Sequence, residues 1–108
     1  MEFFILTKEK IKQVLESYPV KSKYNHFSAP VSPPFITWLI TGSDNIAADD
    51  CVYTKIYEYQ IELYTRENTQ EEEDKFEDYL TKNGILWDKV STVWIDEEKV
   101  NMSVYSCQ

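Results

Sequence analysis

Glycine is almost missing from this chain. Only Gly42 and Gly84 occur in 108 residues, and there is no Gly-x-Gly-x-x-Gly or Gly-Lys-Ser/Thr run. Loops that cradle phosphates need several glycines so that backbone amides can approach the anion, which argues against a nucleotide site. Cysteine is equally scarce. Cys51 and Cys107 stand 56 positions apart and form no Cys-x-x-Cys pair. That is too sparse for a disulfide scaffold or a zinc site, and two ordinary reduced thiols are expected. Histidine occurs once, at His26, so no histidine cluster exists to bind a metal or run acid–base chemistry. Long hydrophobic runs are missing too. No stretch approaches the roughly 18 apolar residues of a membrane span. In the opening "MEFFILTKEK" the apolar run Phe3 to Leu6 has four residues and no small-residue cleavage site follows, so no signal peptide is expected.

Positive charge is also in short supply. Eleven basic residues face 19 acidic ones, for a net charge of −8. An acidic chain lacks the electrostatic footprint of a DNA or RNA binder and gains nothing from an anionic membrane. The imbalance is uneven. Residues 1–60 carry six lysines against seven acids, and residues 61–108 carry five basic residues against twelve acids.

Apolar residues are plentiful, at 43%, with 15% aromatic, enough for one real core in a single domain spanning 1–108. Thr7 is placed to cap a first helix. Ile11, Val14, Leu15 and Tyr18 follow at the spacing of one helical face, and Pro19 ends it. Residues 20–27 alternate weakly, as an edge strand would. "SAPVSPP" holds three of the four prolines and reads as an extended loop. "FITWLIT", 35–41, is nearly continuous in apolar, β-branched and aromatic residues and reads as a central strand covered on both faces. Residues 42–50 read as a loop and 52–64 as one long strand. In that strand Tyr53, Tyr57, Tyr59, Ile61 and Leu63 share one face, and Thr54, Glu58, Gln60 and Glu62 the other.

The two strands should pair as a hairpin, because nothing between them forms a crossover helix. A second helix runs through "NTQEEEDKFEDYLTKNG". Thr69 and Glu72 make a capping box, Phe76, Tyr79 and Leu80 a buried stripe, and Gly84 a C-terminal stop with Ile85 touching Leu80. The acids Glu71 to Asp74 read as a solvated first turn, favoured by the helix dipole. Strands at about 85–94 and 100–107 close the chain around the turn "DEEK". The order α-β-β-β-α-β-β predicts an α+β domain, a mainly antiparallel sheet with two helices on one face.

The stretch "GSDNIAADD" is the best candidate for a cation site. Asp44, Asn45, Asp49 and Asp50 offer oxygens, but the alternating acids, central glycine and distal glutamate of a calcium loop are missing. No metal, no cofactor and no catalytic residue are expected. Ile46, Ala47 and Ala48 in the same stretch argue for contact, since apolar residues on a loop are costly unless something covers them. Tyr53, with Tyr57 and Tyr59, belongs either to the core or to an interface, where tyrosine is enriched.

Over nearly the whole length the chain resembles the small tail-terminator (tail completion) proteins of siphophages and prophages of Gram-positive bacteria. The residues that carry the likeness are "TKEKIKQVLESYPV", the proline-rich loop before "PFITWLITGSDNIAADDCVYTKIYEYQIELYT", "EEEDKFEDYL" and "GILWDKVSTVWIDEEKVNMSVYSC". Two positions depart from the pattern. The end "SVYSCQ" stands where a more acidic one is usual, and Cys51 where a polar or charged residue is. The resemblance implies a protein that ends tail-tube polymerisation as a ring, usually of six subunits, and docks on the head connector. Its partners would be itself, the tail-tube protein and the head-connector protein. A monomer in solution is left open, DNA is met only in passage, and no membrane is involved. The implied location is the virion tail, with assembly in the host cytoplasm.

On this view residues Asp44 to Asp50 form an assembly loop. Asp44, Asp49 and Asp50, with Glu58 and Glu62, are candidates for an acidic lumen that repels DNA, against the plainer reading of ordinary solubility. The rival of a different class is a small acidic monomeric binding or inhibitor module whose Glu71–Asp78 helix mimics nucleic-acid charge. An enzyme is the reading the residues favour least.

Overall fold

A computed structural model describes residues 6–43, 45–48, 51–66 and 70–108, with backbone alone for 46–48 and 51–54. Helix α1 spans Lys8–Glu16. Thr7 is extended (φ −100°, ψ 159°), and its hydroxyl accepts from the Lys10 amide at 3.1 Å, which satisfies one free donor of the first turn. Ile11, Val14 and Leu15 are the buried face, and the helix stops two residues before Pro19 is reached, at the Ser17 cap. Strand β1 (Lys21–Tyr24) and the proline-rich segment lead to β2 (Phe35–Ser43). Then come β3 (Ile46–Ala48), β4 (Cys51–Thr54), β5 (Tyr57–Thr65), α2 (Gln70–Lys82), β6 (Trp87–Ile95) and β7 (Val100–Cys107).

The main sheet has the order β1-β2-β5-β7-β6. Every pair is antiparallel except β1 with β2. The expected α+β domain is therefore correct, with a sheet that is mixed at one edge. β5, not β2, is the central strand, because β1 adds outside β2. β2 is still covered on both faces at Ile36, Thr37 and Trp38, which are all buried.

Period-two alternation in β5 is clean. Tyr59, Ile61, Leu63 and Thr65 are buried, while the residues between them are half-buried. Register places Cys107, Tyr105 and Ser103 of β7 beside Tyr59, Ile61 and Leu63, so these face the helices. Both helices seal this face. Phe76 packs edge-on against Tyr18 (5.2 Å between centroids) and Tyr105 (5.6 Å). The Tyr79 hydroxyl donates to the Val14 carbonyl at 2.6 Å, and the Tyr59 hydroxyl to the Leu6 carbonyl at 3.2 Å. One core thus joins α1, α2 and the sheet.

Helix α2 ends as its sequence predicts. The Ile85 amide reaches the Leu80 carbonyl (3.0 Å) and the Gly84 amide the Thr81 carbonyl (3.0 Å). This is the paired bonding of a Schellman motif, and Gly84 takes the left-handed φ of 76° it requires. The residue proposed as its cap, Thr69, lies outside the described residues. At the turn between β6 and β7, the Lys99 amide bonds the Asp96 carbonyl at 3.3 Å and Lys99 itself has φ 56°. Its ammonium holds the Asp96 carboxylate at 2.8 Å.

The expected long strand 52–64 is two strands. Lys55 and Ile56 leave the ladder between β4 and β5, and β3 pairs with β4 as a separate two-stranded sheet with its own bulge. Part of what reads as loop 42–50 is therefore strand. β2 and β5 are in register out to Ser43 opposite Tyr57, with a bulge at Thr41. A bulge adds local twist to the strand that leads towards the small sheet. The molecule is elongated. The long axis is 50 Å against 27 and 22 Å, and the radius of gyration is 15.2 Å. A compact chain of this length would have about 13 Å.

Candidate functional site

The β3–β4 hairpin is the part of the fold with least support from the rest. Its two strands contact each other extensively and no other element to a similar degree. Of the residues proposed for assembly, Ile46, Ala47 and Ala48 make up β3, and Tyr53 lies in β4. Asn45 is exposed just before them. Asp44, Asp49 and Asp50 lie outside the described residues, as do the side chains of 46–48 and 51–54. Among the described residues, no three of His, Cys, Asp or Glu come together in a way that would hold a metal.

Glu58 and Glu62 lie on the same sheet face but in different settings. Glu58 is exposed at the root of the hairpin, opposite Gly42. A Cβ on Gly42 would sit 3.4 Å from its Oε2, so the small residue leaves this carboxylate room. Glu62 is already engaged. It accepts from the Tyr64 hydroxyl at 2.5 Å, from Gln60 Nε2 at 2.9 Å and from Thr37 Oγ1 at 3.5 Å. Burial, followed by the hydrogen bond to Glu62 and its charge, pushes the Tyr64 phenol up to about 12. Glu62 is thus a local hydrogen-bond hub on the sheet's open face, and Glu58 is the freer of the two.

The reading of the acidic helix start needs correction. Glu71, Glu72 and Asp74 are exposed, but Glu73 is buried. Its carboxylate takes the Lys89 ammonium and, at 2.8 Å, the Ser103 hydroxyl. Lys89 also lies 3.3 Å from Glu77, which accepts from the Tyr105 hydroxyl at 2.8 Å. Burial lowers the Lys89 pKa, but hydrogen bonds and charge from Glu73 and Glu77 outweigh it, so the net shift is upward. The Tyr105 phenol is also raised, by burial first and then by the Glu77 hydrogen bond. The signal was present in the spacing. Glu73, Phe76, Glu77 and Leu80 recur at i, i+3, i+4, i+7, which puts both glutamates on the buried face.

Two grooves lie elsewhere on the surface. One, of about 690 Å³, is lined by Leu6, Lys10, Asn83, Gly84, Ile85, Leu86 and Gln108. The other, of about 590 Å³, lies by Glu58, Trp87, Asp88 and Cys107. Neither presents a nucleophile with a base. His26 is exposed on the loop after β1, lining a third hollow with Phe27 and Pro30. Cys107 is buried, and burial alone pushes its thiol up to about 12.

That shift has a sign that can be measured. A folded-state pKa above the unfolded value of 9.0 gives stability that is complete below pH 9 and is lost as pH climbs towards 12. At pH 10 the Cys107 share of the loss is on the order of 1 kcal/mol. The urea midpoint should hold steady from pH 7 to 9 and then fall, and Cys107→Ala should flatten the fall between 9 and 10. An identical pH profile in the variant would mean the thiol is not sequestered.

No helix of the described residues is long and apolar enough to cross a membrane. Comparison with protein-family models and with curated proteins gives no match to this chain.

Proposed function

We propose that the chain is a phage tail assembly protein that ends tail-tube growth as a ring and joins the tail to the head connector. The observation that carries this reading is the β3–β4 hairpin. It forms a two-stranded sheet of its own, and its Ile-Ala-Ala strand pairs with β4 and not with the main sheet. An Ile-Ala-Ala strand outside the main sheet is the kind of apolar sequence that a partner surface would meet. In a ring, such a hairpin reaches a neighbouring subunit or the adjoining ring.

The rival inhibitor reading is weaker on α2. A helix that mimics nucleic-acid charge needs free carboxylates, and two of its acids, Glu73 and Glu77, are turned inward onto Lys89, Ser103 and Tyr105.

Deleting the gene from the replicon that carries it should yield headless tails of uncontrolled length, visible by electron microscopy. Normal particles would remove the proposal. In the complementing gene, Ile46→Asp should leave the domain folded, because the hairpin contributes little to the core. It should fail to restore tails, because the new charge must be desolvated in the contact. Normal tails from this variant would show that β3 is not an assembly surface.

A further inference from the structure

The ring proposed above leaves open which surfaces of the chain meet each other. The two edges of the sheet differ in charge. At one edge, α1 lies over β1, with the Lys8 ammonium 4.7 Å from the centre of the Tyr24 ring. Residues 7–24 carry five lysines and two glutamates, a net +3 in a chain of −8. All five lysines are exposed. At the other edge α2 lies over β6. Residues 70–99 carry ten acids and four lysines, a net −6. Glu71, Glu72, Asp74, Asp78 and Asp88 among them are exposed.

Among the described residues, strand β6 is an open edge of nine residues, with Val90 62%, Val93 44% and Trp94 39% exposed. A long edge with uncovered apolar side chains and free backbone groups is a template for another strand.

Strand direction then restricts the partner. β1 runs with β2, β5 against it, β7 with it and β6 against it, so β1 and β6 run in opposite senses. A copy related by rotation about an axis along the strands would present its β1 to this β6 in antiparallel sense. That geometry also brings Lys21 and Lys23 to the face that carries Asp88, because Lys21 and Lys23 lie beside Phe35 and Thr37, and Asp88 beside Ser106. On the other face it sets α1 beside the neighbour's α2. The alternative two-fold pairing of β6 with β6 would place acidic helix against acidic helix, and β1 with β1 would oppose lysines. Like charges across a contact disfavour both.

We infer that copies of this chain associate head to tail, with the basic α1/β1 edge of one against the acidic α2/β6 edge of the next. Such heterologous contacts close into a ring when the rotation permits. The inference rests on the ring reading for its biological meaning, but its geometry is tested separately.

Equal amounts of ¹⁵N-labelled and unlabelled chain, concentrated at low salt, are treated with a carbodiimide that joins lysine directly to carboxylate. Links between labelled and unlabelled copies should connect Lys21 or Lys23 to Asp88, or α1 lysines to the exposed α2 acids. Sedimentation should show association weakening roughly tenfold in Lys21→Glu/Lys23→Glu. Adding Asp78→Lys and Asp88→Lys to that variant should restore it, since the two edges are then complementary again. All four positions are exposed, so the variants should fold, which circular dichroism checks. Mixed-isotope links confined to other residues, or an edge variant that associates as the parent does, would overturn the head-to-tail contact and leave the ring reading standing. A chain that stays monomeric at high concentration overturns it too. Normal particles from the gene deletion, with these links present, would remove the tail assignment and leave the contact.

Discussion

Replacing Phe76 with alanine should cost about 3–5 kcal/mol, the range for deleting a buried aromatic ring. Phe76 is fully buried and is the residue through which α2 touches both other layers. Its ring meets Tyr18, just beyond α1, and Tyr105, in β7. Removing it opens a cavity and also breaks two edge-on aromatic contacts worth about 0.5–1.5 kcal/mol each beyond burial. A domain of this size holds only about 5–15 kcal/mol in total, so the variant should melt roughly 15 °C lower or more. Phe76→Leu keeps most of the volume and should lose much less. Urea unfolding of both variants decides it. A loss below about 1 kcal/mol for Phe76→Ala would mean that α2 is not seated on the sheet as described.

Much of this core was legible because it obeys simple periods. The 3.6-residue pattern of Ile11, Val14 and Leu15 and the two-residue pattern of β5 each put one set of side chains on one face, and each is the buried set. Thr7 and Gly84 were legible for a different reason: a local hydrogen bond or a left-handed φ singles out those residue types. Strand order was not legible. Whether β1 pairs in parallel with β2 depends on how the proline-rich segment 28–34 crosses the sheet, and a composition of prolines fixes extension but not direction. The split of 51–65 into two strands did leave a mark: Lys55 and Ile56 invert the alternation of their neighbours at the point where the chain leaves the ladder, but two residues are too few to tell a break from a fluctuation in pattern.

For the candidate site, the apolar triplet 46–48 was visible as an anomaly, but its place on a separate small sheet was not. Glu73 shows how type can mislead. Four consecutive acids look like a solvated turn, and only the phase relative to Phe76 and Leu80 reveals that one of them points inward.

That inward glutamate should be the polar residue most sensitive to change. Its carboxylate holds Lys89 and Ser103, and Ser103 is fully buried. Glu73→Ala would leave the hydroxyl of Ser103 without its acceptor and Lys89 with Glu77 alone. Breaking a fully buried ion pair typically costs about 3–5 kcal/mol, because the remaining charge is stranded. The Lys89 side chain is 31% exposed and can turn to water, so a smaller loss, about 2–3 kcal/mol, is expected here. Glu73→Gln keeps an acceptor for Ser103 and should fall between the parent and Glu73→Ala.

The comparison that isolates the pair is a double-mutant cycle with Lys89→Met and Glu73→Met. With both charges replaced by apolar side chains of similar length, no ion is stranded, and the double variant should be more stable than the sum of the single losses predicts. The pH dependence gives a second reading. The Lys89 pKa is raised in the fold, so its contribution is complete below the unfolded value of 10.5 and is lost as pH rises through the folded one. The Glu73→Gln variant should therefore lose less on going above pH 10.5 than the parent does. A coupling energy below about 0.5 kcal/mol, with parallel alkaline profiles, would reduce the Glu73–Lys89 contact to a surface pair that happens to lie close.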